Sequence, residues 1–82
     1  MGAKKGRRAT GTVRVLVAER KRRGWSQVEL ARRSGVDQPS ISRIEAGLID
    51  PALGTLERLA GALGMRLWAV PVLDDEGSDR AR

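Results

Sequence analysis

Residues 26–47 read SQVELARRSGVDQPSISRIEAG, and the order of residue types in this stretch decides the fold. Ser26 stands three residues before Glu29, which is the S-x-x-E pattern of a capping box at the start of a helix. Gly35 ends that short helix, because glycine suits the left-handed residue that follows a helix. Asp37 can then cap a second helix. Two short helices separated by a glycine turn form a helix-turn-helix.

The apolar residues of this stretch predict how the two helices pack. Ala31 is small, as a close crossing of two helices requires, and Val36, Ile41 and Ile44 are spaced to fill the angle between them. This packing leaves one face of the second helix exposed, and such a face can enter the major groove of DNA. The exposed positions are Gln38, Pro39, Ser42 and Arg43.

Two further helices flank the motif. Thr12 is the predicted N-cap of the first, since its hydroxyl can accept an unpaired amide hydrogen, and Gly24 ends it. The last helix ends at Gly64 and carries apolar residues at i, i+3 and i+4 spacing. These apolar residues are Leu53, Leu56, Leu59, Ala60 and Leu63.

The final apolar stretch, residues 66–73, reads RLWAVPVL and differs from the helices. Its Val, Leu and Trp content predicts a strand, and Pro71 disfavours a helix. A lone strand has no ladder partner, so the same strand of a second copy is the nearest partner across a two-fold axis. A further helical turn, or a coil packed on its own domain, is the alternative. The predicted strand residues of the homodimer are Leu67, Trp68, Ala69, Val70 and Val72.

The length of 82 residues allows one domain. We predict an all-α helix-turn-helix domain of four short helices, plus a C-terminal β-strand that pairs across a homodimer, over residues 12–73. Residues 1–11 are expected to form a disordered basic arm, because they hold too little apolar surface to fold alone. Residues 74–82 are expected to form a disordered acidic tail.

The basic charge is concentrated at one end of the chain. The formal net charge is +6, and residues 1–33 hold eleven of the 16 Lys and Arg against two acidic residues. A basic region of this kind favours a nucleic-acid partner. With two Trp and no Phe or Tyr, the chain lacks the stacking platforms typical of single-strand and RNA binders.

Composition also argues against catalysis. The chain has no His and no Cys, so imidazole and thiolate chemistry and the usual zinc ligand sets are absent. No P-loop or dinucleotide motif occurs, and the acidic tail lacks the calcium-loop pattern. We therefore expect no enzyme activity, no cofactor and no metal site. Because no apolar run is long enough to span a membrane and no Cys suggests disulfides, a cytoplasmic location is expected.

The pattern S-Q-x-E-L-A-x-x-S-G-V-x-x-x-x-I-S-R-I-E-x-G resembles the lambda-repressor and Cro type of helix-turn-helix, the XRE-like regulators. The resemblance covers about residues 12–64. It implies a fold of four or five helices and a dimer that binds operator DNA. The apolar stretch after the fourth helix departs from the phage repressors and resembles HipB-like antitoxins. In those proteins a C-terminal strand pairs across the dimer, and the partner is a toxin encoded beside them.

The resemblance implies base-reading roles for the exposed face of the second motif helix. Gln38 would read a base edge, because its amide matches the donor and acceptor of adenine. Pro39 stands where many members have a polar or small residue, so it could make only apolar contact, such as with a thymine methyl group. Arg43 would reach a guanine or a phosphate, and Ser42 is a lesser candidate.

The resemblance also implies backbone contacts and a structural pair. Ser26 and Gln27, with the amides at the start of their helix, would bind a DNA phosphate, and Ser40 is a lesser candidate. Arg20 and Glu45 match a pair of positions that forms an ion pair between the first and third helices. The arm residues expected to contact DNA are Lys4, Lys5, Arg7 and Arg8. Residues 21–23 either contact DNA or form only a solvated helix end.

Three functions therefore stand beside one another. The leading hypothesis is a dimeric repressor of palindromic operator DNA, more specifically an antitoxin that represses its own operon. A stand-alone repressor of the same family is the first alternative. The second is a protein-interaction module that neutralises a partner, such as a kinase-like toxin.

Overall fold

The computed structural model describes residues 9–69 and 71, and four helices lie in this part of the chain. They are α1 (Gly11–Arg22), α2 (Gln27–Ser34), α3 (Gln38–Glu45) and α4 (Leu53–Ala62). The predicted four-helix, all-α helix-turn-helix fold is thus confirmed. Among the described residues, no helix is long and apolar enough to cross a membrane.

The core forms where all four helices meet. Both α1 and α2 pack against α3 and α4, so α3 is held from two sides. Leu30, Ile41 and Leu63 are the largest fully buried side chains. Val36 is buried as well, so the apolar residues of the motif lie where the sequence predicts them. The other buried apolar residues are Val13, Leu16, Ile44, Leu59 and Ala60.

Local hydrogen bonds at α2 explain how the motif begins and turns. The Ser26 hydroxyl oxygen accepts from the Glu29 backbone amide at 3.0 Å, as an N-cap does. Gly35 follows α2 with a φ of 80°, a left-handed conformation that glycine adopts without the steric cost other residues have. The Glu29 carboxylate accepts from Arg32 and Arg33 instead of returning to the Ser26 amide. Only the Ser26 half of the expected capping box is therefore formed among the described residues.

The start of α1 differs from the prediction. Thr10, not Thr12, is the N-cap, and its hydroxyl oxygen accepts from the Val13 backbone amide at 3.3 Å. Thr12 lies exposed in the first turn, and Gly11, which we assigned to the basic arm, is the first helical residue. Two threonines at alternate positions can each cap, and apolar spacing does not choose between them.

The segment after α4 runs without helix or strand through residues 65–69. Its start is fixed because the Met65 amide donates to the Ala60 carbonyl at 2.8 Å. Met65 and Leu67 pack against the core, whereas Trp68 is 75% exposed. The additional helical turn that we considered is not formed in this described segment. A strand that pairs with a second copy is not formed within one described chain, and it stays a prediction.

Several predicted residues lie outside the described part of the chain. Val70 and Val72 of the predicted strand do so, as do residues 1–8 of the basic arm. The acidic tail, residues 74–82, lies outside it entirely.

Burial along α2 gives a direct test of the packing. Leu30 is 2% exposed and Val28 is 65% exposed on the same helix. We expect Leu30→Ala to lower the free energy of unfolding by about 2–5 kcal/mol, because it leaves a cavity in the core. Val28→Ala is the control and should change it by no more than about 0.5 kcal/mol. Urea denaturation followed by circular dichroism measures both, and equal losses would contradict the packing.

Candidate nucleic-acid interface

The exposed face of α3 holds the residues predicted to read bases. Pro39 and Arg43 are exposed, and Gln38 and Ser42 are half-buried. On the opposite side of the same helix, Ile41 and Ile44 are buried. The core thus fixes the rotation of α3 about its axis and brings the four predicted base-reading side chains to one surface.

A bidentate ion pair joins α1 to the end of α3. Arg20 Nε donates to Glu45 Oε2 at 2.8 Å, and Arg20 Nη2 donates to Glu45 Oε1 at 2.7 Å. Arg20 Nη1 donates to the Trp25 carbonyl oxygen at 2.7 Å, which ties the same guanidinium to the loop before α2. The two side chains are 9% and 12% exposed, so the pair is largely shielded from water. A parallel fork of this kind is among the stronger ionic hydrogen-bond geometries.

The ion pair continues into the two glutamines of the motif. Gln27 Nε2 donates to Glu45 Oε1 at 3.0 Å. Gln38 Nε2 donates in turn to Gln27 Oε1 at 2.9 Å. Four side chains, in the order Arg20, Glu45, Gln27 and Gln38, therefore form one line of hydrogen bonds from α1 to the first residue of α3. We refer to this line as the amide relay.

The last two links of the amide relay, Glu45 to Gln27 and Gln27 to Gln38, were not predicted from the sequence. From the sequence, we assigned Gln27 to DNA and Glu45 to structure, without a contact between them. The sequence contains part of the signal for these bonds. Gln38 and Glu45 are seven residues apart, so they lie two turns apart on one face of α3. The crossing of α2 over that face, which places Gln27 between them, cannot be read from spacing on a single helix.

The relay leaves defined hydrogen-bonding groups available on each glutamine. An amide nitrogen carries two hydrogens, and the carbonyl oxygen accepts. Gln38 uses one hydrogen on Gln27, which leaves one donor and its carbonyl oxygen. Gln27 uses one hydrogen on Glu45 and its oxygen on Gln38, which leaves one donor. Gln38 can therefore both donate and accept, whereas a further strong contact by Gln27 is a donor contact.

The N-terminus of α3 is capped by an ionised side chain. The Asp37 carboxylate accepts from the Ser40 backbone amide at 3.1 Å and from the Ser40 hydroxyl at 2.9 Å. These hydrogen bonds hold the pKa of Asp37 below its ordinary value, and the bond from the Ser40 hydroxyl contributes more than the bond from the backbone amide. Asp37 is therefore negatively charged at neutral pH. The Ser40 hydroxyl already donates its hydrogen, so a phosphate contact by Ser40 requires that this bond be exchanged.

Ser26 differs from Ser40 at the start of the other motif helix. Its hydroxyl oxygen accepts from Glu29, so its own hydrogen is not used by that cap bond. Ser26 is exposed and precedes Gln27, the first residue of α2. A donor hydroxyl, a donor amide and the first backbone amides of α2 therefore lie together, which is the arrangement that suits an anion.

Arginines near the motif divide into paired and unpaired groups. Arg22 and Arg23 bind Glu19, and these hydrogen bonds lower the pKa of Glu19 to about 2. Arg23 and Arg33 also stack on Trp25, with guanidinium carbons 5.2 and 4.3 Å from the ring centroid. Arg43 makes no ion pair with another described residue. Lys4, Lys5, Arg7 and Arg8 lie outside the described residues.

Comparison with known proteins places these features in a family. The family described as "Helix-turn-helix" matches residues 16–67. The Mycobacterium tuberculosis (strain H37Rv) protein "Antitoxin HigA1" is 50% identical over 58 residues, which cover 71% of this chain and 39% of that protein. An "Uncharacterized HTH-type transcriptional regulator" of Haemophilus influenzae is 43% identical over 60 residues, or 73% of this chain and 61% of that protein.

A solved structure is similar over most of the described fold. It is described as "Toxin-Antitoxin module from Streptococcus pneumoniae", and it matches with a TM-score of 0.64 and 36% identity. The match covers 73% of this chain and 71% of that chain. The chain spans about two fifths of the length of HigA1. From the matched range and the observed helices, the chain belongs to the XRE-like helix-turn-helix family.

Proposed function

We propose that the protein is a sequence-specific regulator that binds palindromic double-stranded operator DNA as a homodimer and represses transcription. The observation that carries this proposal is the amide of Gln38, the half-buried first residue of α3, which is held with one donor and one acceptor left over. A side chain with a purely structural role rarely needs a free hydrogen-bond donor and a free acceptor side by side. Adenine offers the complementary pair in the major groove.

Base reading would come from the exposed face of α3. Gln38 contacts an adenine, and Arg43 reaches a guanine or a phosphate from the same helix. Pro39 contributes apolar contact with a thymine methyl group, and Ser42 lies between these positions. The negative charge of Asp37 offsets the positive charge of Arg43, so most of the attraction to DNA must come from elsewhere on the protein.

Affinity would come from contacts with the phosphate backbone. Ser26 and Gln27 present donors at the start of α2, and Ser40 can join them if its bond to Asp37 is exchanged. The arm cations Lys4, Lys5, Arg7 and Arg8 supply much of the positive charge. Contacts of this kind release counterions, so affinity falls steeply as salt rises.

An apolar groove supports the homodimer. It lies between α1, α4 and the segment after α4, with a volume of about 530 Å³. Val15, Leu53 and Trp68 line it and are 53%, 63% and 75% exposed. A second copy would cover these side chains and would supply the ladder partner for a strand of Leu67, Trp68, Ala69, Val70 and Val72. The two α3 helices would then read half-sites about 34–36 Å apart.

We further propose that the protein is the antitoxin of a toxin–antitoxin operon that it regulates itself. Two similar proteins support this role: one is named an antitoxin, and the other belongs to a toxin–antitoxin module. The partner would then be a toxin in the cytoplasm, and a kinase-like toxin is the candidate that the resemblance to HipB-like antitoxins suggests. A stand-alone repressor is the alternative, and the Haemophilus influenzae regulator supports it. Co-purification with the product of the adjacent gene separates the two roles.

Gln38→Ala tests the base-reading role. It should reduce preference at one operator position by about 1–3 kcal/mol, because it removes a bidentate contact. Arg22→Ala is the control, since this exposed arginine binds Glu19 on α1 and should leave the preference profile unchanged. The measurement is competition binding at fixed salt, with every single-base variant of a duplex selected from random DNA. A wild-type protein that binds selected and scrambled duplexes equally would contradict the proposed function.

Trp68→Arg tests the dimer. Trp68 is exposed in the single chain, so the change should spare the fold of the monomer while placing a charge in the interface. We expect the variant to be monomeric by size-exclusion chromatography with light scattering. Leu48→Arg is the matched control, because Leu48 is 58% exposed and does not line the groove. If the Trp68→Arg protein stays dimeric, the dimer interface lies on another surface and the proposed groove is wrong.

A further inference from the structure

We propose that Glu45 is a positioning residue that determines which base Gln38 accepts, through the amide relay. The inference rests on the proposed function, in which Gln38 reads a base. It assigns to the Arg20–Glu45 ion pair a role in specificity as well as in stability. The physical basis is that a carboxylate only accepts hydrogen bonds, whereas a glutamine amide donates through its nitrogen and accepts through its oxygen.

A glutamine that is free to rotate reads bases loosely. Its amide has a donor end and an acceptor end, and half a turn about the last side-chain bond exchanges them. Adenine presents one acceptor and one donor in the major groove, whereas guanine presents two acceptors. A free amide can give one donor and one acceptor to adenine, or its two amide hydrogens to guanine. Discrimination between these purines therefore requires that the amide be fixed.

The Glu45 carboxylate fixes the amide of Gln27. It accepts from two nitrogens of Arg20, as an ionised carboxylate does, so it offers only acceptor oxygens to Gln27. The nitrogen of Gln27 must face Glu45, and its 3.0 Å contact is with Nε2. The carbonyl oxygen of Gln27 is then directed away from Glu45.

The orientation of the Gln27 amide determines the orientation of the Gln38 amide. The Gln27 oxygen accepts at 2.9 Å, so the group that faces it must be the nitrogen of Gln38. If the Gln38 amide were reversed, two carbonyl oxygens would meet. One hydrogen of Gln38 is thereby used inside the protein, and one donor and one acceptor remain. The remaining donor and acceptor of Gln38 match adenine, but they cannot supply the second donor that guanine needs.

Removal of the carboxylate should therefore relax the choice between adenine and guanine. A bidentate contact discriminates by about 5-fold to 150-fold. With Glu45→Gln, we expect the ratio of adenine to guanine affinity at that position to fall to about 2-fold, because the relay loses its obligatory acceptor. Because both duplexes are measured with one protein sample, the ratio is insensitive to a loss of folded protein.

Gln27→Met provides a second variant that keeps the ion pair. Methionine has similar length but no amide, so Gln38 loses its partner while Arg20 and Glu45 stay joined. This variant should show the same loss of adenine preference even if Glu45→Gln does not fold. Glu29→Gln is the matched control, since Glu29 also binds two arginines but bonds to neither glutamine side chain. It should keep the wild-type ratio.

The experiment measures binding of duplexes that differ only in adenine or guanine at the position affected by Gln38→Ala. In the Gln38→Ala background, Glu45→Gln should change the ratio no further, because it acts through Gln38. A wild-type ratio in both Glu45→Gln and Gln27→Met, with a lost preference in Gln38→Ala, would overturn the inference and leave the proposed function intact. If Gln38→Ala changes no position at all, base reading by Gln38 fails and the inference fails with it.

Discussion

The ion pair between Arg20 and Glu45 is the interaction on which the rest of the structure depends. Burial of two charges is costly, and here the cost is offset because the fork is bidentate and the remaining groups bind Trp25 and Gln27. No buried side-chain nitrogen or oxygen in the described part of the chain lacks a hydrogen-bond partner. One contact thus joins α1, the loop before α2, α2 itself and α3, and it orients the helix that we propose reads DNA.

In the proposed function, attraction to DNA and choice of sequence depend on different parts of this protein. The net charge of +6 draws the chain to any DNA, and much of it lies in the basic arm. The face of α3 is nearly neutral, because Asp37 offsets Arg43. Several other arginines are held by Glu19 and Glu29. In the function that we propose, specificity therefore depends on a few polar groups held in fixed orientation, rather than on charge.

Much of the fold could be predicted because caps, glycines and apolar spacing are local signals. The four helices, the turn at Gly35 and the buried core residues of the motif follow from them. The choice of Thr10 over Thr12 could not be predicted, since both can cap. The bonds of Gln27 to Glu45 and Gln38 depend on how two helices cross. The strand predicted at residues 66–73 would need a second chain as its partner, so one folded chain does not test it.

The two motif glutamines are fixed by hydrogen bonds that begin at Glu45. The chain contains two glutamines and no asparagine, so Gln27 and Gln38 supply every side-chain carboxamide signal in a nitrogen-15 NMR spectrum. For each glutamine, one amide hydrogen should exchange with water more slowly than in the urea-unfolded chain. Gln27→Met should abolish that protection at Gln38. Carboxamide hydrogens that exchange equally fast in the folded and unfolded protein would contradict the account.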